Sequence, residues 1–116
     1  MVGPVPVVRD DGKTVGRVRP VGEAWVPETI FGGVLGETGD FEDASELVLT
    51  SGMAALIEPW WIEENGVWER VELVEIQADR VRVRSWSPYN LAIGSDAAAG
   101  DWVDPVARPL FLREPR

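Results

Sequence analysis

The stretch Trp60-Trp61-Ile62-Glu63-Glu64-Asn65-Gly66-Val67-Trp68-Glu69-Arg70-Val71 decides how this chain folds. Asn65-Gly66 is the strongest short-range hairpin signal, because a two-residue type I′ turn demands positive φ at both central positions. With that turn, Glu64 faces Val67, Glu63 faces Trp68 and Trp61 faces Arg70. Side chains alternate across a strand. Trp61, Glu63, Trp68 and Arg70 therefore share one side, and Trp60, Ile62, Val67 and Val71 the other. The second set is more apolar and is expected to pack on the core, which leaves Trp61 and Trp68 at least partly exposed.

Working outward, the apolar and aromatic run 54–64 reads as the strand before this turn, and 67–77 as the strand after it. Ala78-Asp79 turns the chain again, and 80–86 alternates strictly. This second turn sets Gln77 against Arg80, Ile76 against Val81 and Val74 against Val83. Glu75 then meets Arg82, an opposite-charge pair contributing a few tenths of a kcal/mol. Val71 and Leu73 are apolar on the parity opposite to Val74 and Ile76. Either a bulge lies near Glu72 or the strand is covered on both sides.

Before the meander, Asp10-Asp11-Gly12-Lys13 separates two strand-like runs, 5–9 and 14–18, and reads as a hairpin turn. Pro4 and Pro6 cannot donate to a ladder, which puts the first strand at an edge. A short strand is expected over 24–31, interrupted near Pro27, followed by a flexible connection through Gly32, Gly33, Gly36 and Gly39. The spacing of Phe41, Ala44, Leu47 and Val48 predicts a helix over 41–51, capped by Asp40 or Asp43. Gly52 stands where a left-handed C′ residue belongs, with Met53 placed for the accompanying apolar contact. After the meander, 87–100 reads as a loop, and 101–106 and 110–112 as short edge strands limited by Pro105 and Pro109.

The fold expected is α+β: one domain over 1–116, with a curled antiparallel sheet of about five to seven strands built on the 54–86 meander and one helix packed across it. The alternative is a small SH3-like or open β-barrel.

Composition narrows the function. The 116 residues contain no cysteine and no histidine. Disulfides, thiolate nucleophiles, imidazole bases and Cys/His zinc sites are thereby excluded. Eleven basic residues against 20 acidic ones give a net charge of −9, which repels nucleic acid and anionic membrane surfaces and would steer a basic protein partner. The cations are ten Arg and the single Lys13, a usage that points to GC-rich coding and a bacterial or phage source. No apolar run approaches the ~20 residues of a membrane span. The opening Met1-Val2-Gly3-Pro4-Val5-Pro6 has neither a basic n-region nor an apolar h-region, so no signal peptide is expected and the expected location is the cytoplasm.

Catalytic chemistry finds few footholds. Ser45, Ser51, Ser85, Ser87 and Ser95 have no histidine base, and Lys13 sits in a turn where solvent surrounds it. The acidic loops 37–43 and 96–104 are oxygen-rich enough for a hard cation, but neither has an EF-hand or other strict ligand spacing, and helix capping with solvated loop charge accounts for them. Gly32-Gly33 and Gly36 lie between a strand and a helix, but no Gly-Lys-Ser/Thr follows and the neighbouring carboxylates repel phosphate. No cofactor and no metal are expected. Arg80, Arg82 and Arg84 form a stripe on the outward parity of their strand, with Glu69, Glu72 and Glu75 nearby as counter-charges.

Six tryptophans in 116 residues are several times ordinary usage. Exposed indoles beside an arginine are the composition of interface hot spots, which makes Trp61, Trp68, Arg70 and Trp86 the candidate protein-binding residues. The function expected is therefore a small acidic, non-enzymatic protein-binding domain, either an inhibitor or immunity-type protein or a subunit of an assembly, with association into a homo-oligomer left open. The alternative is a ligand-binding or hydrolytic domain that uses carboxylates and tryptophan stacking, for instance on a sugar. A flat tryptophan surface favours the first reading and a concave pocket the second.

Overall fold

A computed structural model describes residues 3–86 and 100–115. Three strands, β1 (Val5–Val8), β2 (Thr14–Val21) and β3 (Ala24–Glu28), pair antiparallel in that order. Helix α1 (Phe41–Ser51) and a 3-10 turn (Ala54–Ile57) come next. The meander follows as β4 (Trp60–Glu64), β5 (Val67–Ile76) and β6 (Val81–Ser85). β7 (Asp101–Val103) and β8 (Leu110–Phe111) complete a second sheet, ordered β7-β6-β5-β4-β8. The class is α+β, with the antiparallel meander and, among the described residues, one α-helix, both where the sequence put them.

The strands differ from one curled sheet of about five to seven: among the described residues there are eight, in sheets of three and five. The sheets meet at Val34, which bridges antiparallel to Glu28 of β3 and parallel to Phe111 of β8. Its N–H donates to Leu110 at 2.8 Å and its carbonyl accepts from Leu112 at 2.9 Å. Among the described residues β1 and β7 keep their outer edges unpaired, so no barrel closes.

Local chemistry explains the elements. Asn65 and Gly66 take φ of 53° and 79°, as a type I′ turn requires, and β4 and β5 pair in the register this turn sets, Glu64↔Val67 through Trp60↔Val71. Pro27 lies inside β3 rather than ending it. Its carbonyl accepts from Leu35 N–H at 2.9 Å, so its backbone points away from β2 and the missing N–H removes no ladder bond. The Asp40 carboxylate caps α1 by accepting from Asp43 N–H at 2.8 Å. Ala44 and Val48 are buried against β2 and β3, while Phe41 meets Trp25 edge-on at 5.0 Å.

Several expectations are corrected. Gly52 is not a left-handed C′ residue: its φ of −57° and ψ of −43° are right-handed helical. What it needs is space, because a Cβ there would stand 2.4 Å from the Val15 carbonyl oxygen and 2.6 Å from that of Val48. Met53 is accordingly exposed and makes no cap contact with the core. The strand expected over 54–64 begins only at Trp60. Residues Ala54–Ile57 coil into a 3-10 turn closed by Leu56 N–H to Met53 O and Glu58 N–H to Ala55 O, both 3.1 Å, and Ile57 stands 89% exposed.

The phase change in β5 is a bulge, but at Val74 rather than near Glu72. The register passes from Leu73↔Val83 to Glu75↔Arg82, so Leu73, not Val74, faces Val83. Val67, placed with the core set, is 60% exposed at the turn end of the hairpin. β7 stops at Val103 because the Asp104 carboxylate accepts from Val106 N–H at 2.9 Å and the Asp104 carbonyl from Arg108 N–H at 2.9 Å, turning the chain. The loop expected over 87–100 lies, except for Gly100, outside the described residues.

One hydrophobic core draws on both sheets and α1, with Trp60, Phe31, Leu35, Leu110 and Val18 among its fully buried side chains. Among the described residues no helix is long and apolar enough to cross a membrane.

Candidate functional site

The alternation of β4 and β5 puts Trp60, Ile62 and Val71 into the core and turns the opposite side outward. On that outer side one row crosses four strands. Phe111 of β8 pairs with Trp61 of β4, and Trp61 pairs with Arg70 of β5. The Arg70 carbonyl accepts from the backbone N–H of Trp86, just past β6, at 3.0 Å. Two positions back along β5, Trp68 reaches over to Phe111, the rings edge to face at 5.6 Å and 83°. Trp61, Trp68, Arg70 and Trp86 therefore occupy one continuous patch. Trp61 and Trp68 are half-buried, Arg70 is exposed, and Trp86 is 38% exposed.

Arg70 is the centre of this patch. Its guanidinium carbon lies 5.1 Å from the Trp61 ring centroid and 5.1 Å from that of Trp86. Each such contact contributes about 0.5–1 kcal/mol at an exposed site. Two rings at equal distance also hold the guanidinium in place. Among the described residues no carboxylate lies within ion-pair distance of it.

The arginine stripe of β6 continues the same face. Arg84 pairs with Glu72, Arg82 is in register with Glu75, and Arg80 Nε donates to Gln77 Oε1 at 2.8 Å. Arg80 and Arg82 also lie 4.0 and 4.8 Å from the Trp102 ring centroid. Trp102 and Phe111 escaped the sequence reading as members of this face. Their strands are short and distant in sequence, and only their parity opposite Arg82 and Trp61 would have marked them.

Below the patch an open groove of about 380 Å³ is lined by Arg70, Arg113, Ser51, Glu58, Pro59 and Leu112, with Ala54 and Ala55 at its floor. A second hollow of about 420 Å³ lies between the 36–39 loop and α1, with Asp43, Leu47 and Arg113 in its wall. Neither is lined by a tryptophan.

Several other charged groups serve the fold. Glu28, 3% exposed, accepts from Arg17 Nε at 2.9 Å and from Arg19 Nε at 2.8 Å, one guanidinium on each oxygen. Lys13 is exposed in the first hairpin turn. In the acidic loops, Asp40 caps α1 and Asp104 closes the turn after β7, while Asp96 lies outside the described residues. Among the described residues no three acidic side chains are gathered as a metal site. No family model, no curated protein and no solved structure matches this chain.

Proposed function

We propose that this is a non-enzymatic protein-binding domain whose docking surface is the outer face of the five-stranded sheet, centred on Arg70. The observation that carries the reading is the clamp itself: an arginine held between Trp61 and Trp86 and, among the described residues, paired with no carboxylate. Aromatic and arginine side chains that are already ordered lose little entropy on binding, which is why they dominate hot spots. The tryptophans form a sheet surface and line neither hollow, which favours a protein partner over a sugar.

The charge of the face specifies the partner further. Arg70, Arg80, Arg82 and Arg84 outnumber Glu63, Glu72 and Glu75 there, in a chain whose net charge is −9. The basic partner suggested by that net charge suits the acidic side carrying Glu42, Asp43 and Glu46. The Trp/Arg face instead suits a polypeptide segment with apolar side chains and a carboxylate. An inhibitor and an assembly subunit would both use such a surface.

Selection of phage-displayed random peptides tests the reading. Peptides recovered on the protein should lose about 2 kcal/mol of affinity, some thirtyfold, on Trp86→Ala or Arg70→Ala, while both variants stay folded, their melting temperatures lowered only by the lost indole–arginine contacts. Recovery of no peptide, or equal binding to the variants, would sink it.

A further inference from the structure

We propose that the groove beside Arg70 is a carboxylate site that takes the C-terminal residue of a partner polypeptide. The inference rests on the docking reading above and deepens it, naming the chemistry at one edge of that face.

The groove has two kinds of wall. Arg70 from β5 and Arg113 from the segment after β8 both line it, two cationic residues, together with Ser51, the last residue of α1. Ala54, Ala55, Pro59 and Leu112 supply the apolar wall. Among the described residues Arg113, like Arg70, has no carboxylate within ion-pair distance. A planar guanidinium matches a carboxylate with two parallel N–H donors, and Arg70 is held for that purpose by its two indoles. The volume of about 380 Å³ falls at the small end of ligand sites and suits one residue rather than a long segment.

Charge separates carboxylate from phosphate. Glu58 also lines the groove, so two arginines and one glutamate leave a single positive charge. A monoanionic carboxylate neutralises it. A phosphate dianion would leave uncompensated charge beside Glu58, in a chain that already carries −9. The apolar wall next to the arginines then favours a residue with both a carboxylate and an aliphatic side chain, which is what a C-terminal leucine or valine presents.

The test uses the intact protein with ¹⁵N-labelled arginine, following the Nε–Hε signals of Arg70 and Arg113. The probes are acetyl-Gly-Leu as the free acid, the same peptide as its amide, acetyl-Gly-Glu-Gly-amide and inorganic phosphate. The free acid should shift both signals saturably, and the other three should bind at least about tenfold more weakly. The amide lacks the charge-assisted pair, the internal glutamate cannot seat a carboxylate and an aliphatic side chain on one residue, and phosphate is repelled by Glu58. Arg70→Gln and Arg113→Gln should each abolish the shift of the remaining arginine while the fold is kept, Arg70→Gln with a melting temperature lowered by a few degrees through loss of its two indole contacts. Equal binding of acid and amide, or no shift with either, overturns the carboxylate site. Binding of the internal glutamate as tight as the free acid overturns the C-terminal assignment, and tighter phosphate binding overturns the ligand class. If display-selected peptides still depend on Trp86 while acid and amide behave alike, the docking surface stands and only this inference falls.

Discussion

Trp60 donates its indole Nε1–H to the Ala55 carbonyl at 3.0 Å, with none of its side chain exposed to solvent. One bond thus ties the first residue of β4 to the 3-10 turn before it and satisfies the only polar atom of the largest core side chain. Phe31 packs edge-on against the same ring at 5.3 Å. Trp60→Phe would leave the Ala55 carbonyl without this partner and part of the ring's volume empty. It should destabilise by about 2–3 kcal/mol, summing the lost hydrogen bond and the cavity, since the Ala55 carbonyl keeps its bond from Glu58 N–H, read as a lower urea midpoint.

Trp68 is the contrasting indole. It is half-buried on the outer face and packs edge to face with Phe111. Trp68→Ala should cost about 1–2 kcal/mol, the worth of one aromatic pair and some lost area. Trp60→Ala should cost about 3–5 kcal/mol. Thermal denaturation of the two variants side by side checks the order, and an equal loss would show that the outer face is packed like a core.

Two glycines separate close approach from backbone conformation. Gly52→Ala should cost about 1–3 kcal/mol, because its Cβ would overlap the Val15 and Val48 carbonyl oxygens, backbone atoms that cannot swing aside. Gly66→Ala meets nothing within 4 Å and loses only the ease of its φ of 79°, about 1 kcal/mol. A larger effect at Gly66 than at Gly52 would contradict this account.

Glu28 anchors two arginines through one buried carboxylate. Glu28→Ala strands both guanidinium groups and should cost about 2–3 kcal/mol, below the full cost of breaking a buried pair because both arginines are partly solvated. Arg17→Ala or Arg19→Ala leaves the other arginine in place and should cost less. Chemical denaturation of the three variants gives the order.

The Asp11 carboxyl is held below its ordinary pKa of 3.8, first by the hydrogen bond from Arg9 and then by that from the Lys13 backbone N–H. A depressed folded-state pKa contributes stability above the unfolded value, and that contribution is lost as pH falls through the folded value. The loss therefore lies below pH 3.8. Arg9→Ala should raise the Asp11 pKa toward the ordinary value, as NMR titration of its side-chain carboxyl carbon would show.

What the sequence by itself determined was whatever depends on a few adjacent residues. Asn65-Gly66 set the β4–β5 register because both take positive φ without strain, and parity then assigned Trp60 and Ile62 inward and Trp61, Trp68 and Arg70 outward. The helix 41–51 was legible because its cap and apolar spacing are both local. Contacts between distant segments belonged to the tertiary structure. Apolar content alone cannot tell a strand from the 3-10 turn at Ala54–Ile57, since the turn depends on where Trp60 finds an acceptor. Gly52 looked like a C-cap because the approach of Val15, 37 positions earlier, leaves no local trace. The division into two sheets turns on the bridges of one residue, Val34, to β3 and β8. Trp86 reaches Arg70 only after a bulge at Val74 has reset β5 against β6. Short-range φ and ψ preferences act within a turn, whereas close packing selects among folds that satisfy those preferences equally well.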